Sequence, residues 1–313
     1  MRSARRRALI EKKKKAGKVT GLLIKIFLPI IIVIGFFLVL RSDIRYWNGH
    51  DKFILAYRLE NGDAAVSVLD PKLSELTTLV IPGDTKVDVA RNYGELRIKN
   101  VWQLGANEKV GGGLLAETVT QNFLFPVFLW SDSDAKSLVG GNLGEILHFI
   151  FFPKSTNVSF SDRLSAGLFS LKIQDLGKSW LDLGKNQFLV KQILNDGQTG
   201  FVLNGPVSPR LTVYFSDNDF ADKNLRVIIN DATGIPGVAD EVGQIIEVMG
   251  GKVISVNKII SGDKNYTVSD CRVSGNDLKV VKKVADIFYC KTDKGAASVD
   301  LTIDLGQGFA KRF

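Results

Sequence analysis

Residues suited to chemistry are few and scattered in this 313-residue chain. Cys271 and Cys290 are its two cysteines. They do not form a C-x-x-C pair, which argues against a thioredoxin-like or zinc site. In an oxidising compartment an even pair reads as a disulfide; the alternative is two separate buried thiols. The two histidines, His50 and His148, have no second ligand at metal spacing. Asp217, Asp219 and Asp222 form a D-x-D-x-x-D run within Ser216–Lys223. An EF-hand calcium loop also needs a glycine and a distal glutamate, both missing here, so the run reads as a solvated hinge. The loop Asp231–Gly237 (DATGIPG) joins an expected strand to an expected helix. A helix N-terminus can hold phosphate. The loop has neither P-loop nor G-x-G-x-x-G spacing, however, and Gly234, Pro236 and Gly237 read as the residues of a sharp turn.

The elements that would position such residues begin with a hydrophobic stretch. Val19–Leu40 (VTGLLIKIFLPIIIVIGFFLVL) carries one charge, Lys25. A helix rising about 1.5 Å per residue crosses a hydrocarbon core of about 30 Å in roughly 20 residues. The stretch therefore reads as a retained transmembrane helix, and no A-x-A-like cleavage pattern follows it. Residues 1–18 are strongly basic, the pattern of a cytoplasmic tail, which places the rest of the chain outside the cytoplasm. Up to Arg41 there are eleven basic residues and one acidic one, although the whole chain is only +8. The outer part is thus slightly acidic, and the basic pI is no sign of nucleic-acid binding. The tail also lacks any aromatic residue to stack on bases. Its expected partner is the cytoplasmic membrane.

Beyond the span, two regions are expected: 41–222 and 223–313. In the first, Phe53–Tyr57, Ala64–Leu69 and Leu76–Ile81 read as a meander of strands, with turns at Asn61–Asp63 and Asp70–Lys72. Leu115, Val119 and Phe123 mark one face of a helix. Phe125–Trp130 is a strand candidate, Leu143–Phe152 and Leu164–Leu171 read as helical pieces, and Phe188–Leu194 and Leu211–Phe215 add apolar segments. The class is mixed α/β (α+β). The second region reads βαββαβ, a two-layer sheet with both helices on one face. Its helices are Val238–Val248 and one carrying Leu278, Val281, Val284, Ala285 and Phe288. Its last strand is Ala297–Leu305.

Several motifs within this frame carry a resemblance. Asp63–Lys72 followed by Thr78–Val87 (TLVIPGDTKV), Arg97–Asn100 (RIKN), and Gly112-Gly113 with Glu117–Val119 together resemble the opening of LytR-CpsA-Psr domains. Val227–Ala239 (VIINDATGIPGVA) and the ending Val299–Gly306 resemble the LytR C-terminal domain. The first resemblance implies an envelope protein on one N-terminal helix that moves glycopolymer from a polyprenyl-pyrophosphate carrier to the cell wall. It also implies Mg2+ held by Asp63 and Asp84. A pyrophosphate leaving group needs cations as well, and Arg91 and Arg97 are the candidates. Gly83, however, stands where the family has the arginine of I-P-R-D-T, and its second arginine cluster has no counterpart. The expectation is therefore a relative that keeps the fold, has lost the phosphate clamp, and binds or scaffolds wall glycopolymer, a polyprenyl-linked precursor or envelope proteins. The alternative is an active magnesium-dependent phosphotransferase.

Overall fold

The computed structural model describes residues 46–205, 207–259, 268–293 and 299–313. The expected basic tail and transmembrane helix (1–18 and 19–40) lie outside the described residues. Among the described residues no helix is long and apolar enough to cross a membrane. Residues 46–158 and 162–313 make one compact unit, which contains two five-stranded sheets.

The first sheet starts from the expected meander. Strands β1 (Phe53–Arg58), β2 (Ala64–Asp70) and β3 (Glu75–Ile81) pair antiparallel in sequence order. Two short hairpins follow: β4 (Lys86–Val89) with β5 (Gly94–Arg97), and later β8 (Leu189–Ile193) with β9 (Thr199–Leu203). Between them lie helices α1 (Ile98–Asn107), α2 (Gly113–Phe123), α3 (Leu143–Phe151) and α4 (Phe160–Lys172). Strands β6 (Leu129–Ser131) and β7 (Lys178–Asp182) add parallel at the two edges, beside β1 and β3.

Every residue of β2 is buried, so the meander is covered on both faces. On one face Ala56, Val66, Val68, Leu79 and Ile81 share a core with Val101, Leu115, Val119 and Phe123 from α1 and α2. On the other, Trp47 bridges Phe53 and Phe169 of α4. A hydroxyl ladder crosses this second face, Tyr57 to Ser67 at 3.0 Å and Ser67 to Thr78 at 2.6 Å. Burial pushes the Tyr57 phenol up to about 12.

The second sheet holds β10 (Arg226–Asp231), β11 (Lys252–Lys258), β12 (Cys271–Gly275), β13 (Lys291–Asp293) and β14 (Leu301–Leu305). Their order is β11-β10-β14-β12-β13. Val227, Ile229, Val273, Leu301 and Ile303 alternate inward and form one core with both helices, α6 (Val238–Val248) and α7 (Leu278–Phe288). The two-layer arrangement is as the sequence pattern implies. A short extra strand, β13, makes it βαββαββ. Leu278, expected on the buried face of α7, is instead exposed, because it starts the helix before the core face begins. The Cys271 and Cys290 sulfurs stand at disulfide distance, 2.02 Å.

The reading of Ser216–Lys223 as a solvated hinge is corrected. Residues Asn218–Lys223 form a helix, α5, capped by the Asp217 side chain, and Phe220 is fully buried in the second core. An aspartate N-cap and one large apolar residue suffice to fold it down.

Candidate functional site

The residues singled out as Asp63 and Asp84 sit on two adjoining loops. Asp63 closes the turn between β1 and β2. Its backbone N–H and one carboxylate oxygen bond the Asn61 amide at 3.1 and 2.7 Å, and its other oxygen accepts from the Gly83 N–H at 2.7 Å. Asn and Asp favour such turns because their side chains can bond nearby backbone. Asp84 follows Gly83 at the end of β3, and its Oδ1 accepts from Arg97 Nη1 at 2.8 Å and Lys99 Nζ at 2.7 Å. Those two donors hold its carboxyl below the usual aspartate range, Lys99 first and Arg97 after it.

Arg97 precedes the first turn of α1. It also makes a forked pair with Asp196 at 2.8–3.1 Å and donates to the Thr199 carbonyl at 3.1 Å. Asp196 and Thr199 belong to the β8–β9 hairpin, which joins the site through a Thr85–Phe201 bridge and the Phe201 N–H on Asp84 O at 3.1 Å. The sequence reading missed Asp196 and Lys99 as members of this cluster. Asp196 lies 99 residues beyond Arg97, and only the hairpin's return brings it there.

Arg91 does not join the cluster. It sits in the left-handed region (φ 66°) and forks onto Glu117 of α2, with both contacts 2.6 Å. Its N–H meets the Arg312 carbonyl at 2.9 Å, so this residue fastens the first sheet's helices to the C-terminal segment.

Gly83, where the motif resemblance leads one to expect an arginine, is packed too closely for a side chain. A Cβ there would stand 2.7 Å from the Gly62 carbonyl oxygen and 2.9 Å from its carbon, with Lys99 Cβ at 3.2 Å. Backbone fills the space in which any side chain at this position would begin.

These residues do not fit a divalent cation. Asp84 is already paired with two cations, and Asp63 is spent on its own turn. Among the described residues the three-carboxylate group close enough to hold an ion is Asp51, Asp217 and Asp219, elsewhere in the molecule. There the Lys283 ammonium pairs with buried Asp217 and stands 3.9 Å from Asp51. Burial raises the Asp51 carboxyl, Lys283 opposes that, and Asp217 adds to it. That cluster is a joint: Lys283 comes from the second core, Asp51 from the chain entering the first sheet.

The cations of the Asp84 cluster are matched by its own carboxylates, Arg97 and Lys99 against Asp84 and Asp196. A clamp for pyrophosphate would need positive charge to spare. The Asp231–Gly237 loop is closed on itself in the same way. Asp231 accepts from Thr233 N and Oγ1, and Ile235 N–H donates to Thr233 Oγ1. Gly234 and Gly237 supply the positive φ of 74° and 94° that the turn needs. Asp240 and Glu241 occupy the first turn of α6. They satisfy the helix dipole with the wrong charge for a phosphate site.

An open cavity of about 200 Å3 lies at the base of β8–β9, walled by Phe123, Leu183, Phe188, Leu203 and Leu211. The polar side chains of Gln187, Asn204 and Ser208 line it too, so the hairpin carries a hollow of mixed lining at one end and Asp196 at the other.

The solved structures to which the chain is similar include Bacillus subtilis TagT, at a TM-score of 0.35 and 14% identity over 51% of this chain and 88% of that one. A second is the LytR-CPS2A-psr family protein YwtF (TagT) with bound octaprenyl pyrophosphate lipid, with the same score, identity and coverage. A third is a transcriptional regulator from Enterococcus faecalis, at 0.34 and 10% over 65% of this chain and 89% of that one. At these scores the likeness decides nothing about the site. No family model matches the chain, and no curated protein does.

Proposed function

We propose that this chain is a cell-envelope protein, anchored in the cytoplasmic membrane by residues 19–40 with its N-terminus in the cytoplasm. Outside the membrane it binds wall glycopolymer or a polyprenyl-linked precursor without turning it over. The observation that carries the non-catalytic part is the packing at Gly83, where Gly62 backbone fills the place of a phosphate-binding side chain. The internal neutralisation of Arg97 and Lys99 supports it. The Cys271–Cys290 pair supports an oxidising compartment outside the cytoplasm. The ligand class is the one implied by the sequence motifs, and the apolar wall of Phe123, Phe188, Leu203 and Leu211 in the cavity at the hairpin's base offers a place for part of a lipid chain.

The deciding experiment incubates the full-length chain with a polyprenyl-pyrophosphate-linked glycan, with and without Mg2+, and measures both retention and turnover. Saturable retention with no release of polyprenyl pyrophosphate or phosphate is the expected result. Magnesium-dependent turnover that disappears in Asp84→Ala would establish the phosphotransferase instead.

A further inference from the structure

Helices α3 and α4 bear apolar side chains on the wrong side for a core. On α3, Ile146, Phe149 and Ile150 are buried, as the inner face requires, yet Leu143 and Leu147 are 57% and 43% exposed. On α4, Leu168 and Leu171 are 50% and 46% exposed. Phe152, in the connection between the helices, is 69% exposed.

These side chains share one surface. Arg163 Nε donates to Ile150 O at 3.0 Å, Gly167 lies against Ile146 and Ile150, and the Ser170 hydroxyl donates to Leu138 O. From Arg163 to Gly167 the contacts climb α4 as they move from Ile150 back to Ile146 on α3, and Ser170 goes on to Leu138 ahead of α3, so the pair is antiparallel. Leu143 and Leu147 are rotated to one side of the Ile146–Ile150 contact line, at about 100° per residue. Leu168 and Leu171 are rotated the same way from Gly167. In an antiparallel pair, equal rotation from a shared contact line turns both rows to the same side. A monomeric soluble surface rarely leaves such a patch contiguous.

The chain's entry point says what covers it. The N–H groups of Tyr46 and Trp47 donate to the Asp162 carboxylate at 2.9 and 3.0 Å, in the first turn of α4. The stretch read as a membrane span ends at Leu40, six residues earlier. At about 3.3–3.6 Å per extended residue, the membrane exit lies within roughly 20 Å of this turn. The connection that carries Phe152 meets α4 at the same end.

We propose that the exposed face of α3–α4 is a second membrane contact. It lies flat in the interfacial region of the bilayer, with Phe152 as its aromatic anchor. This rests on the anchoring reading above for the direction of the membrane. It adds that the first sheet is held at the lipid surface in a fixed orientation and does not swing on the short connection.

The native cysteines are both paired, so single nitroxide labels can be placed at Leu147→Cys and Phe152→Cys. Both positions are exposed, and neither replacement touches the core. The full chain is reconstituted in vesicles of phosphatidylcholine and phosphatidylglycerol, with Ile193→Cys on β8 as the water-exposed control. Accessibility is read with oxygen and with a water-soluble nickel chelate. High oxygen and low nickel accessibility at 147 and 152, against high nickel accessibility at 193, is the expected result. High nickel accessibility at 147 and 152 overturns the contact. Low accessibility to both reagents also overturns it, because protein and not lipid would then be the cover. Alkaline carbonate washing tests the anchor separately, since release of the chain would sink the transmembrane reading whatever the labels report.

Discussion

Two charged clusters in this molecule use the same residue types and serve opposite ends. Around Asp84, Arg97 and Lys99 meet Asp84 and Asp196; Arg97 is 10% exposed, but the Asp84, Lys99 and Asp196 side chains are 46%, 42% and 50% exposed. Around Asp217, Lys283 reaches a carboxylate that is 5% exposed, with its own side chain 16% exposed. The first cluster holds the residues that the motifs mark as chemical, and solvent screens most of what its pairs contribute. The second includes a run that reads as a hinge, yet it joins two cores. Burial of the carboxylate, and not residue type, separates a surface brace from a structural joint.

The largest effect is expected at Lys283. Lys283→Met strands the buried Asp217 charge and should cost about 3–5 kcal/mol, read as a lower denaturation midpoint. Lys283→Arg should recover much of that loss. If Lys283→Met unfolds no earlier than the parent, the joint is not structural.

Next in size is the cysteine pair. Its sequence separation is 19, and replacing both cysteines with serine should cost about 3 kcal/mol on a loop-closure argument. Thermal unfolding of the oxidised parent, the reduced parent and the double variant checks it. The reduced parent and the double variant should fall together.

Gly83→Arg tests the loop beside the Asp84 cluster. Forcing a Cβ against the Gly62 backbone should cost about 1–3 kcal/mol. It should not create turnover of a pyrophosphate-linked substrate. Turnover would mean that the loop adapts and that one residue separates this site from an active one.

The smallest effect belongs to Asp84→Ala, since its own carboxylate and Lys99 are exposed and the pairing is screened. Its signature is in pH dependence. The Asp84 carboxyl is depressed in the folded chain by Lys99 and then Arg97. Its contribution is therefore present above the ordinary aspartate value of about 3.9. It is lost as pH falls through the lower folded value. An acid titration of the unfolding midpoint should show a shallow decline in the parent as pH falls from that ordinary value towards the lower folded one, slightly flatter in Asp84→Ala.

Local pattern carried much of the architecture. Alternating apolar runs broken by Asn61–Asp63 and Asp70–Lys72 are enough to write the β1–β2–β3 meander. The 3.6-residue stripe of Leu115, Val119 and Phe123 is enough to write α2. Helix α1 escaped, because it has no side-chain N-cap and carries Gly105 in its interior. That glycine is there for space: a Cβ on it would stand 2.2 Å from the Gly111 carbonyl oxygen. The short strands β4, β5, β7 and β13 escaped too. They are three to five residues long and mostly lack an alternating buried face.

The sequence by itself determined the mixed α/β class, the periodicity of the second region, the Asp63 turn and the pairing partners available to two cysteines. All of these depend on neighbours a few residues apart, or on a count of two. Tertiary structure decided which charges meet. Asp196 reaches Arg97 through a hairpin, Lys283 of α7 reaches Asp217 at the cap of α5, and Arg91 is spent on Glu117. It also decided what Gly83 means, because the atoms that exclude a side chain there belong to Gly62, on a different turn of the chain. Long-range electrostatics and close packing depend on distances that no local pattern encodes.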